Sequence, residues 1–320
     1  MTITERRRYR IDRKAVRSLN WVGDELVDHA AVVTAWGLPF DAAITSQSGE
    51  YAVAYTRLGT KGVVLKSGRV LREINRSFKH AEAYLYPITL ARLEDGREVL
   101  IHCPDAYNKL QIEVVESGER LTSRPAKGID VFHSRLAMSP SGRHLISAGW
   151  VWSPFGIVQV FDLQEAITRP ETLDEPKQPQ AIAGEVQSAC WIDADHLLVA
   201  TDPDTERVDA PDGDPALLGQ GELGCWSISK GEFIYRTTLG RSAGAMMAVG
   251  VDHVVTFFEH PKLTNARTGA VEMAWPDIDS GRETSSIVWH RPPDPSLALD
   301  PTRARFAVAD PDGITIIELG

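Results

Sequence analysis

Four histidines stand in polar surroundings far apart in the chain: His80 in RSFKHAEAY, His102 in IHCPDAYNK, His133 in VFHSR and His260 in FFEHPK. Imidazoles that converge can hold zinc or iron, or act as a general acid and base, so these four are the candidate metal ligands and proton carriers. Sequence spacing does not show whether they converge, and a histidine paired with backbone is the ordinary alternative. No cofactor is expected beyond that possible divalent metal.

The same stretches carry cations and aromatic rings. Arg57 and Lys61 lie in TRLGTK, Arg76 and Lys79 accompany His80, and Asp105, Tyr107, Asn108 and Lys109 follow His102. Arg135 follows His133, Trp150, Trp152 and Phe155 fill GWVWSPFG, and Glu259 and Lys262 flank His260. Arginine and aromatic side chains dominate binding hot spots, and basic groups attract carboxylates and phosphates. The alternative is that the tryptophans fill gaps in a core.

No G-x-S-x-G elbow, H-E-x-x-H pair or phosphate-cradling glycine loop occurs, which weakens a catalytic reading. The acidic stretch holding Asp202, Asp204, Asp209, Asp212 and Asp214 lacks the spacing of a calcium loop, and a solvated turn explains it as well. Cys103, Cys190 and Cys225 have no metal-ligand spacing, and of these only Cys103 has polar neighbours of the kind that activate a thiolate.

With 44 acidic against 34 basic residues, a net charge of −10 argues against nucleic acid as the main partner. The basic start MTITERRRYR leads into no signal-peptide run, and nothing approaches a membrane span, so the expected location is the cytoplasm. Hydrophobic residues at 43% are enough for a sizeable core.

The elements that must position these residues are strands, because the chain repeats at roughly the 45-residue period that four strands and their turns need. One unit reads SRLAMSPSGRHLISAG, WVWSPFG, IVQVFDL, with a tight turn at Ser139 to Gly142. An earlier one places a turn at Ser46 to Gly49 before strands at 51–56, 62–65 and 69–74. Between them, Asp95-Gly96 and Ser117-Gly118 mark hairpins, and two later units begin at VQSACWIDADHLLVATD and GAMMAVGVDHVVTFFEH. The last, SLALDPTRARFAVADPDGITIIELG, offers three strands, so RRYRIDR at 7–13 is expected to pair with it and close a ring. AVRSLNWVGDELVDHAAVVTAW would then be a shortened first unit.

SPSGRHLISAG followed by IVQVFDL resembles a blade of the WD-repeat family, with Phe161-Asp162 where the family has Trp-Asp. CWSIS at Cys225 and the final ITIIELG lack the aspartate, and no unit has the Gly-His dipeptide, so the likeness is to degenerate, bacterial-looking WD-repeat-like propellers. The expected fold is all-β, one β-propeller domain over 1–320, with about seven four-stranded blades and six as the alternative. The resemblance implies that the loops carrying Arg57, Arg76, His80, His102, Tyr107, Lys109, His133, Arg135, Trp150, Trp152, Glu259 and His260 gather on one face. Such a face suits a non-catalytic platform for a protein segment or small anionic ligand. The alternatives are a hydrolase or lyase centred on histidines in the channel, and a structural subunit of an assembly.

Overall fold

The computed structural model describes residues 3–33, 40–125, 129–152, 155–179, 182–206, 217–288 and 294–320. Among these, antiparallel strands form six four-stranded blades in a ring. Blade 1 comprises Ala42–Thr45, Tyr51–Tyr55, Lys61–Lys66 and Arg69–Asn75. Blade 2 has Ile88–Arg92, Glu98–His102 and Gln111–Val114, and its outer strand is the short run around Arg120, bridged to Glu113. In blade 3, Leu136–Met138, His144–Ser147 and Gln159–Asp162 are completed by Lys177, which pairs with Val160.

Blade 4 is Gly184–Trp191, His196–Glu206, Glu222–Ser227 and Glu232–Thr238, and blade 5 is Met246–Val249, His253–Thr256, Lys262–Asn265 and Val271–Ala274. Blade 6 takes Leu297–Asp300, Arg305–Asp310 and Gly313–Leu319 from the end of the chain, and Glu5–Ile11 pairs with the last of these from Ile11↔Ile314 to Glu5↔Leu319. The ring is closed by this N-terminal strand, two residues upstream of the expected 7–13.

The inner strands read as near-continuous apolar runs because both blade faces are covered. Val99, Leu100 and Ile101 are all fully buried, with Ile101 and Val99 packed towards blade 3 and Leu100 towards blade 1. The turns are as the sequence requires: Gly142 sits at φ +73°, a left-handed conformation that a Cβ disfavours.

A count of seven four-stranded blades does not describe this ring. The stretch 16–33 forms only a hairpin, Asn20–Val22 with Glu25–Val27, and a one-turn helix His29–Val32, wedged between blades 6 and 1. Asp28 ends the second strand by accepting hydrogen bonds from the amides of Arg17, Ser18 and Ala31 and from the Ser18 hydroxyl. Leu19 and Trp21 pack on blade 6, while Ala30, Val33 and Phe40 pack on blade 1. Two strands and a helical turn thus cover both exposed blade faces, so no further strands are needed there.

Candidate functional site

The described residues of four connections bring aromatic rings together: 76–87 between blades 1 and 2, 103–110 in blade 2, 129–135 between blades 2 and 3, and 148–152 in blade 3. Arg76 is the foundation. It is 3% exposed, and its guanidinium donates to the carbonyls of Gly59 (2.7 Å), Leu85 (3.2 Å), Ala81 (2.6 Å) and Tyr84 (3.0 Å). It also lies 4.6 Å above the Tyr84 ring and 4.9 Å above that of Tyr86. Arg76 therefore shapes the loop from beneath and presents no charge to a ligand.

On this foundation sits a ring stack. Phe132 and Trp150 exchange backbone hydrogen bonds in both directions, and their rings lie parallel at 3.9 Å. Gly149 permits this, since a Cβ there would collide with the Phe132 carbonyl. Tyr107 stacks on Phe132 at 4.2 Å, and Tyr84 meets it edge-on at 5.5 Å. Burial, together with the hydrogen bond donated to Asp130, pushes the Tyr107 phenol up to about 12.

The outer layer is open. Trp152 is 60% exposed and Phe78 81% exposed, the two largest exposures of any aromatic ring among the described residues. His80 lies 5.3 Å from Trp152 and 5.9 Å from Phe132, and the Lys79 ammonium sits 4.5 Å over Tyr107. The structure thus brings together His80, Tyr107, Trp150 and Trp152 of the expected residues. Phe78 escaped the sequence reading, although an aromatic ring inside the polar run RSFKH was the available signal.

The other expected residues are engaged elsewhere. His102 is buried in blade 2, with Nε2 3.2 Å from the Glu113 carboxylate. Burial alone would raise the Glu113 carboxyl, but His102 and Arg72 hold it below the usual range. Lys109 donates to the Arg124 carbonyl, and Asp105 pairs with Arg120 at 2.7 Å. His133 is fully buried, its Nδ1 3.0 Å from the Ser147 hydroxyl, and burial depresses its pKa to about 3. Arg135 donates to the Gln187 carbonyl across the channel wall.

Cys103 is buried and its thiol is pushed well above the ordinary range by that burial, which removes it as a nucleophile. Asp202 accepts from the Gln187 side chain and Asp204 lies beside it, whereas Asp209, Asp212 and Asp214 fall outside the described residues. Among the described residues, no three histidine, cysteine or acidic side chains are grouped so as to hold a metal ion. His80, His133 and His260 belong to three different connections, His102 ends a strand of blade 2, and the contacts described for the four differ.

A strap, residues 275–288, leaves blade 5 and reaches blades 1 and 2. It leaves blade 5 through Trp275 and Ile278, both buried, and Gly281 accepts from the amide of Glu259 at 2.6 Å. Glu283 then reaches Arg57 of blade 1 at 3.3 Å, and Ile287 bridges Tyr84. Beneath it lies a cavity of about 240 Å³ lined by Arg17, Asp41, Tyr55, Arg57, Glu283 and Asp294 among others. Glu259 is thereby committed to the strap, Lys262 donates to the carbonyls of Phe258 and His260, and burial and Lys262 together lower the His260 pKa.

No family model and no curated protein matches this chain. Its likeness is to solved structures: a chain in the "Crystal Structure of Mitotic Checkpoint Complex" aligns with 98% of this chain and 91% of its own length at a TM-score of 0.59 and 11% identity. The fold is a β-propeller. In this propeller the aromatic surface of blades 2 and 3 is a local feature, because identity this low speaks for architecture alone. None of the helices among the described residues is long and apolar enough to cross a membrane.

Proposed function

We propose that this propeller is a non-catalytic binding platform whose docking surface is the Phe78–Trp152 patch and whose partner is a protein segment. The observation that carries this reading is two large open rings, Phe78 at 81% and Trp152 at 60% exposure, the second beside the packed Phe132–Trp150 stack and the first two residues from His80, which lies against Trp152. Solvated rings on a rigid base lose little freedom on binding and release water when covered, which is why aromatic anchors dominate interfaces. Lys79 beside Tyr107 adds a cation at the rim. The similar chain named above belongs to a multiprotein complex, which supports the same reading.

A small anionic ligand is the less favoured occupant, since Arg57 is paired with Glu283 and Arg76 is buried. The hydrolase or lyase reading needs two histidines side by side, and His102 and His133 face Glu113 and Ser147 instead. Three unpaired cysteines accord with a reducing, cytoplasmic setting.

The test is capture from native-host lysate by tagged wild type and by a Phe78→Ala/Trp152→Ala variant of matched thermal stability, followed by titration of the purified partner. The expected result is a partner bound at least about tenfold more weakly by the variant. Equal affinity of every recovered partner for both proteins would overturn the reading.

A further inference from the structure

The strap is seated in the molecule as a peptide ligand would be. Its middle runs antiparallel to the 76–87 connection, with Ile287 bridged to Tyr84 and the Val288 amide donating to the Ala83 carbonyl at 2.8 Å. Ile287 packs against the Tyr84, Phe132 and Trp150 cluster that underlies the exposed patch. Four residues earlier, Glu283 places its carboxylate on Arg57. Ser286, between these anchors, is fully buried with a hydroxyl that makes no hydrogen bond.

Main-chain pairing, one aliphatic anchor in an aromatic cradle and one carboxylate on an arginine are the components by which a sheet edge or loop captures an extended peptide. The cation side is larger than one pair: Arg135, in the next inter-blade connection, has a buried Nε without a hydrogen-bond partner. We propose that residues 283–288 occupy, in cis, a groove for an extended partner segment carrying a carboxylate side chain and, four residues on, an aliphatic one, and that the partner binds by displacing them. This rests on the reading of the aromatic face as a docking surface and adds the partner's chemistry and an internal competitor.

A strap that must leave before the partner enters lowers the apparent affinity by the fraction of molecules in which the groove is open. Weakening the strap therefore tightens binding. The probe is a fluorescein-labelled peptide of residues 282–288, RETSSIV, titrated by anisotropy. The full-length Glu283→Ala/Ile287→Ser protein is expected to bind it at least about tenfold more tightly than wild type. Adding Arg57→Ala is expected to reverse the gain, and a peptide with glutamine for the glutamate and serine for the isoleucine is expected to bind neither protein.

Equal affinity of folded wild type and strap variant, or equal binding of the two peptides, overturns the proposal. Should the strap variant fail to fold, an Ala83→Cys/Val288→Cys clip takes its place. Its reduced form is expected to bind the peptide at high concentration and its oxidised form not at all, and equal binding by both forms overturns the proposal. If the peptide fails these tests while Phe78→Ala/Trp152→Ala still loses a partner, the docking surface stands and the strap is only a structural connection.

Discussion

The loops joining the second and third strands of blade 3 and blade 5 occupy equivalent places and share aromatic rings and a proline, with charges added only in blade 5, yet they end in opposite states. In blade 5, Phe257 is buried, Glu259 adopts φ +63° to pair with the strap, and Lys262 caps two carbonyls of its own loop. In blade 3, Trp150 is buried while Trp152, two residues on, stays in solvent. The difference lies in what covers each loop. The segment that follows blade 5 pairs with its loop through Glu259 and Gly281, whereas Trp152 stays exposed, so a loop's own residues do not decide whether it is a binding surface.

The comparison sharpens most within blade 3. Trp150→Ala removes a ring from a stack with no room to relax and is expected to cost about 3–5 kcal/mol by denaturant unfolding. A loss of less than about 1 kcal/mol would mean that the stack is not the rigid base described here. Next in size is Arg76→Met, which leaves four carbonyls without their donor and is expected to cost about 3 kcal/mol.

His133 gives a dependence on pH. Its folded pKa of about 3 lies below the ordinary value of 6.5, so the unfolded chain takes up the proton first as pH falls. Its contribution is complete above pH 6.5 and is lost as pH drops towards 3, which amounts to about 2 kcal/mol between pH 7 and pH 5. Chemical denaturation across that range should show the slope in wild type and a shallower one in His133→Gln; equal slopes would place the proton elsewhere. Smallest is the effect of Phe78→Ala/Trp152→Ala on folding, expected within about 0.5 kcal/mol because neither ring is packed in the core. A large loss would turn these rings from a docking surface into structural ones.

Much of the fold was legible in the sequence because local chemistry forces it. Ser139 to Gly142 and Asp95-Gly96 turn where their residues predict, and the incomplete final unit announced the closing strand, found at Glu5–Ile11. AVRSLNWVGDELVDHAAVVTAW, 15–36, reads as a shortened blade that brings six evident units to seven, but the four hydrogen bonds accepted by Asp28 are invisible in the sequence. Of the site, the rings of Tyr107, Trp150 and Trp152 could be picked out by type alone. That Arg76 and His102 point inwards was not legible, since their partners are backbone carbonyls and a carboxylate brought near by folding. Nor was the strap, whose contact between Ile287 and Tyr84 spans most of the chain.

The most direct test of the central claim replaces Phe78, and in a separate protein Glu259, with a photocrosslinking phenylalanine analogue in the native host. Irradiation is expected to join a partner protein covalently at position 78 and none at position 259, which lies outside the aromatic patch and whose backbone is paired with the strap. Adducts at 259 alone, or equally at both, would contradict the assignment of the docking surface to the aromatic face of blades 2 and 3.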